Sequence, residues 1–156
     1  VTEGETTRLV AWSTELRRVH ARLRDALTVT REALASGTPA TRELLLFCHG
    51  FCTALTGHHE GEDREIFPAV AAAHPELAGT LRALRQDHSM IGHLVGGLEA
   101  AVSAAEPPEA LAAHLEGIAA IMESHFRYEE RSLLHVLETL GLDADPADVL
   151  GPLTPP

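Results

Sequence analysis

Apolar residues recur at spacings of three and four along most of the chain, and no stretch alternates with the period of two that marks a strand. Turn formers cut this pattern into four segments of roughly 30 residues, a length typical of the long helices of bundles. In Ser36-Gly37-Thr38-Pro39, Gly37 suits the left-handed position that ends a helix, Thr38 suits an N-cap and Pro39 a first helical turn. His74-Pro75-Glu76 and Glu106-Pro107-Pro108-Glu109 form the second and third breaks, and Gly141 closes the last periodic segment before DADPADVLGPLTPP. The pattern predicts helices over 5–36, 39–73, 75–104 and 107–141. The fold class is therefore all-α: an up-down-up-down four-helix bundle over residues 1–142, with a short proline-rich C-terminal tail over 143–156.

Followed residue by residue, the first stripe runs Leu9, Trp12, Leu16, His20, Leu23, Leu27 and Leu34. The second runs Leu44, Phe47, Phe51, Leu55, His58, Glu62 and Ile66. The third is Leu81, Leu84, His88, Ile91, Val95, Leu98 and Val102; the fourth is Leu111, Leu115, Ile118, Met122, His125, Glu129, Leu133 and Val136. Each stripe carries one histidine, and the second and fourth add a glutamate four residues later on the same face. Two carboxylates and four imidazoles thus converge on an apolar interior.

A lone histidine in a stripe is most simply a core residue bonded to a carbonyl or water. Taken jointly, the six residues resist that reading. Two buried carboxylates without positive partners would cost several kcal/mol each, and no Lys or Arg stands in any stripe. A metal cation supplies the missing charge. The segments HHEGEDREIFPAV (58–70) and HFRYEERSLLHVL (125–137) also align with each other, His58 on His125 and Glu62 on Glu129, as two sides of one site built alike.

Composition narrows the remaining classes. At 45% apolar residues the chain can bury a core, and no apolar run is long enough to span a bilayer. Acidic residues outnumber basic ones 23 to 12, for a net charge of −11, which argues against nucleic acid and anionic membrane as partners. The start, VTEGETTRLV, shows no secretory pattern, and two cysteines form no disulfide framework, so a cytoplasmic location is expected. Ten histidines, scattered rather than consecutive, fit metal binding.

Ligands of nitrogen and oxygen alone disfavour iron–sulfur and cysteine-zinc sites. Two bridging carboxylates favour a dinuclear site like that of the di-iron bundles. Four histidines, two bridging glutamates and a bridging oxo or hydroxo group fill about ten of the roughly twelve positions around two octahedral ions, leaving about two open for reaction.

With His20 in RRVHARLR, His58 and Glu62 in HHEGEDREIFP, His88 in RQDHSMIGH, and His125 and Glu129 in SHFRYEER, the chain resembles the hemerythrin-like, or HHE cation-binding, proteins over about residues 10–140. The resemblance implies two iron ions in a four-helix bundle, with O2, peroxide or NO as reactant or ligand and an electron donor as partner. It equally allows a non-catalytic O2, NO or iron sensor or a store, working as a monomer or homodimer. Oxygen-carrying hemerythrins have a second histidine on the third helix, four residues after the first, where this chain has Gly92. They also place a carboxylate five residues after the fourth helix's histidine, which here would be Glu130; Glu129 is the expected ligand because it lies in the stripe and matches Glu62. With four histidines instead of five, the site looks more like the NO-responsive and iron-repair branch than like the reversible carriers.

Several neighbours have plainer readings. His93, five residues from His88, lies about 140° around the helix and should miss the site. His59 and Asp63, in line with Cys48 and Cys52, read as flanking or supporting residues. The two cysteines are small buried residues one turn apart. Gly92, facing the metals, either eases helix packing or leaves room for a small ligand. Tyr128 reads as solvent-facing, and His49, His74, His114 and His135 as surface residues. Glu15, Glu43 and Asp87 are candidates to receive the second N–H of a ligand histidine.

Overall fold

A computed structural model describes residues 10–36 and 42–151 of the chain, with side chains in the second stretch from residue 46 onward. Among these residues the regular structure is entirely helical. Helix α1 spans Trp12–Ala35 and α2 spans Arg42–Gly61; a π-helical turn, Glu62–Ile66, joins α2 to α3, Phe67–Ala73. A 3-10 turn at Pro75–Leu77 leads into α4, Ala78–Ser103, followed by α5, Pro108–Leu137, and α6, Pro146–Leu150.

The four long helices close into a ring: α1 packs on α2 and α5, and α4 packs on α2 and α5. The predicted stripes line its interior. Trp12, Leu16, Leu23 and Leu27 meet Phe51 and Leu55, Leu84, Ile91 and Leu98, and Leu115, Ile118 and Met122, all buried. Each such side chain contributes about 1.5–3 kcal/mol relative to exposure, so the bundle rests on its stripes. Two expected members depart from the pattern. Phe47 is exposed, and Cys48 takes the inward position beside it; Val102 is only half-buried. Leu9, the side chain of Leu44 and the Gly37-Thr38-Pro39 break lie outside the described residues.

The single second helix expected over 39–73 is interrupted, and Pro68 gives the reason. Proline has no N–H to give the carbonyl four residues back, and its ring clashes with that carbonyl. The π turn inserts one extra residue just upstream, at Glu62–Ile66, and the Phe67 N–H closes it onto the Glu62 carbonyl. Such single π turns occur preferentially at functional sites.

The other boundaries differ less. The third predicted helix begins with the 3-10 turn, because His74 leaves the helical region (φ −135°) before Pro75. The fourth ends at Leu137, four residues before Gly141. The segment read as a proline-rich tail forms α6, capped by the Asp145 side chain, which accepts from the Ala147 N–H at 3.0 Å. Its Val149 and Leu150 are buried against α2, the π turn and α1. No helix of the described residues is long and apolar enough to cross a membrane.

Candidate metal centre

Midway along the bundle the apolar stripes give way to polar residues from all four long helices. His20 comes from α1, His58 and His59 from α2, Glu62 from the start of the π turn, His88 from α4, and His125 and Glu129 from α5. All seven are buried, and His20, His58, Glu62 and Glu129 have no exposed surface at all. Aromatic rings wedge the histidines in place: Phe126 stacks on His20 with centroids 3.8 Å apart, and Phe67 lies nearly parallel to His88 at 5.4 Å.

The outward nitrogens are all accounted for on four of these rings. The Nδ1–H of His20 donates to Glu130 Oε1 (2.9 Å), that of His88 to Asp63 Oδ1 (2.9 Å), and that of His125 to Asp87 Oδ2 (3.0 Å). His58 Nδ1–H donates to the Leu150 backbone carbonyl (3.0 Å). A neutral imidazole that gives its proton from Nδ1 presents a lone pair at Nε2. Four lone pairs therefore point inward. His58 Nε2 lies 3.2 Å from Glu62 Oε1, and His125 Nε2 lies 3.2 Å from Glu129 Oε2. The Nε2 atoms of His88 and His125 are 3.1 Å apart.

Inside the cluster the pairing fails. His20 Nε2, His58 Nε2, His59 Nε2 and all four oxygens of Glu62 and Glu129 are buried with no hydrogen-bond partner. Orphaned acceptors at that density are costly unless a cation joins them. The donor atoms fall into two groups within metal-binding reach of one another: His20, His58, Glu62 and Glu129, and His59, Glu62, His88 and His125. Glu62 belongs to both. The residues thus fit two cations sharing a carboxylate, with four of the five imidazoles held by an outer acceptor in the manner usual for metal-bound histidines.

The protonation pattern agrees. Burial pushes His58 down to about 3, with His20 adding to the effect, and burial likewise holds His59 and His88 low, so these rings are neutral and ready to bind a cation. Burial also lowers His125, but Glu129 and Asp87 outweigh it and raise the ring. Burial and the facing Glu129 charge push Glu62 well above the usual carboxylate range. Glu129 is raised by burial too, yet Glu62, His125 and His20 together bring it well below. Two carboxylates facing each other in one buried pocket resist ionising together unless a cation joins them.

Behind the first helix runs an ionic chain. Arg24 donates to Glu130 (3.0 Å) and Glu123 (2.9 Å), and it lies over the Phe126 ring at 5.3 Å. The hydrogen bond from His20, together with Arg24, holds Glu130 down at about 2. Glu130 is therefore an orienting acceptor, while Glu129 faces the cluster. Asp63 and Asp87 serve as acceptors as well. Glu15 instead pairs with Arg18 at 3.4 Å, and the Glu43 side chain lies outside the described residues.

His59 departs from its sequence reading as a flanking residue. Its ring stacks on His88 at 3.9 Å and its Nε2 faces the cluster. The signal is present in the spacing: on a helix Glu62 falls about 40° to one side of His58 and about 60° to the other side of His59, so it lies between them. Unlike the other four rings, His59 has no outer acceptor among the described residues.

Gly92 also differs from its expected inward position. It is exposed, on the wall of a cavity of about 200 Å3 between α2 and α4 that reaches His59 and His88, and a Cβ there would meet nothing within 4 Å. Leu55, Ile91 and Val95 supply its apolar walls, and Glu60 and Asp63 also line it. His88 and His59, at 7% and 5% exposure, are the most open members of the cluster. The groove reaches these two rings from outside the bundle. Tyr128 is half-buried under Arg131 in a separate groove between α4 and α5 that Asp87 also lines.

The sequence profile of the hemerythrin HHE cation-binding domain matches residues 13–137, and the chain belongs to that family. Cation binding is accordingly the family's property that these histidines and glutamates serve. No curated protein and no solved structure gives a significant match.

Proposed function

We propose that the chain is a non-heme di-iron protein that reacts with O2, peroxide or NO. His20 and His58 hold one iron and His88 and His125 the other, with Glu62 and Glu129 bridging and an oxo or hydroxo group completing the bridge. The bundle that presents them runs up-down-up-down through its four long helices. The observation that carries this reading is the inward convergence of four Nε2 lone pairs on four unpartnered carboxylate oxygens in a buried interior. Carboxylate and imidazole donors without thiolate suit iron or manganese over soft-metal sites. Two iron ions, when bound, supply the electrons for reduction of a small oxidant.

The chain's own residues set what can arrive. The groove is narrow, has apolar walls and carries Glu60 and Asp63, which disfavour anions and admit small neutral molecules. Burial excludes bulk water from Glu62 and Glu129. A cytoplasmic electron donor returns the iron to the ferrous state, and the chain works as a monomer or homodimer without nucleic acid or membrane.

Metal analysis and an optical spectrum of freshly purified protein, followed by rapid mixing of the ferrous form with O2, H2O2 and NO, test the proposal. Two irons per chain and reaction with at least one oxidant are expected. A single zinc, or two irons inert to all three, would overturn it.

A further inference from the structure

The matched family region ends at residue 137, yet one of the buried imidazoles depends on residues beyond that point. His20, His88 and His125 find their outer acceptors in Glu130, Asp63 and Asp87, all inside that region. His58 finds its acceptor in the Leu150 carbonyl, at the end of α6.

Four contacts hold residues 138–151 across the bundle. The Trp12 indole N–H donates to the Leu142 carbonyl at 2.9 Å, and Arg64 reaches the Asp148 carbonyl at 3.4 Å. Val149 and Leu150 bury their side chains. Gly151 turns the backbone with φ +94°, a conformation that glycine takes without penalty. The fourth contact is the closest. The Val149 carbonyl lies directly over the α-carbon of Gly61, where any Cβ would stand 2.6 Å from the carbonyl carbon and overlap its oxygen.

Gly61 is otherwise hard to explain. It sits inside continuous helical backbone (φ −64°, ψ −42°), where alanine is the more favourable residue. What glycine provides there is the absence of a side chain beneath Val149. One carbonyl later, Leu150 meets His58, one turn back along α2.

We propose that residues 138–151 form a strap that fixes the tautomer and aim of His58, and that Gly61 is the positioning residue that lets the strap close. The inference rests on reading the cluster as a metal centre. It adds that an acceptor of the centre lies outside the part of the chain that defines the family. That acceptor is a neutral carbonyl where the other three anchored histidines have carboxylates. His58 is therefore the ring whose orientation depends on docking of a separate segment.

The test compares full-length wild type, Gly61→Ala and Val149→Asp, each loaded with ferrous iron. Iron content, the rate of iron loss to a chelator, and the solvent-exchangeable imidazole N–H resonances shifted by the iron are measured. Wild type is expected to hold two irons and to show slowly exchanging N–H signals for all four anchored rings. Gly61→Ala should weaken iron retention about 10- to 100-fold and make one of those signals exchange rapidly. Its helix content should not fall, since alanine favours the helix. Val149→Asp, which puts a charge on the buried face of the strap and expels it, should do the same, and it serves alone if Gly61→Ala does not fold. Unchanged retention and four slow signals in the variants would overturn the strap while leaving the centre intact. A wild type that takes up no iron would overturn the centre and the strap's role with it.

Discussion

His88 and His125 present their Nε2 atoms to each other at 3.1 Å, while each gives its Nδ1–H to a carboxylate, Asp63 or Asp87. When both rings are neutral, two lone pairs face each other at that distance, and the two aspartates hold them there. A cation between them turns the opposed pairs into two bonds.

Removal of an aspartate should therefore cost metal affinity without unfolding the protein. Asp87→Ala is expected to weaken metal binding about 10- to 100-fold, whereas Asp87→Asn, which keeps an acceptor oxygen, should restore much of it. Titration with ferrous iron against a competing chelator separates the two. Equal affinity in all three proteins would mean that Asp87 has no part in orienting His125.

Gly92 sets the width of the groove. Gly92→Phe should leave the iron content unchanged and slow the binding of NO to the ferrous protein by at least tenfold, as read by stopped-flow absorbance. An unchanged rate would place the entry route elsewhere, with the open space at Gly92 serving only helix packing.

His59 faces the cluster without an outer acceptor, and the expectation is that it guards the entrance instead of holding the ions. His59→Ala should retain two irons per chain and react faster with small oxidants. Loss of one iron from this variant, measured by metal analysis, would promote His59 to a required ligand.

Acid should destabilise the metal-free protein. His58 sits at about 3 in the fold against an ordinary 6.5, so below 6.5 the unfolded chain takes up the proton first. Its contribution to stability is complete above 6.5 and is lost progressively as the pH falls toward 3. His59 and His88, also lowered, act in the same direction, while His125 and Glu62, both raised, act in the opposite one. Urea unfolding of chelated protein at pH 7.5, 6 and 5 should show a falling midpoint. A midpoint that rises on acidification would contradict neutral buried rings.

The thiols give an independent check on the core. Burial, with Glu99 and Cys48 nearby, pushes Cys52 up to about 12, and Cys48 is raised by burial as well. Both should resist a thiol reagent at pH 8 in the native protein and react with two equivalents in denaturant. Fast reaction of the native protein would show that the face of α2 carrying them is open.

The four stripes are legible because a helix that buries one face must repeat its apolar residues every three or four positions, and Leu, Ile and Trp announce that face plainly. The same rule captures only part of the buried face of α2. There the buried face is broad, and one edge of it is the line Cys48, Cys52, Leu55 and His59, which a scale of apolarity ranks below Phe47. Phe47 is the one described member of the second stripe to face out, and His59 lies on the buried edge that the stripe leaves out. The π turn is hidden too, although Pro68 carries the warning. The outer acceptors Asp63, Asp87 and Glu130 need coordinates, since they join residues 25 to 110 positions apart. Nothing in DADPADVLGPLTPP says that one of its carbonyls meets a histidine in α2.

The π turn has a further consequence for the length of the chain. Deleting one residue from a regular helix turns everything beyond it by about 100° and exposes the core face. Between Glu62 and Phe67 the backbone already holds one residue more than an α-helix needs, and Arg64 there is exposed. With Pro68 replaced by alanine, removal of that single residue would restore regular helical spacing and leave Glu62, Phe67 and Val70 facing inward. This stretch is where the bundle can absorb a one-residue insertion or deletion, and where homologous chains of unequal length would be expected to come back into register.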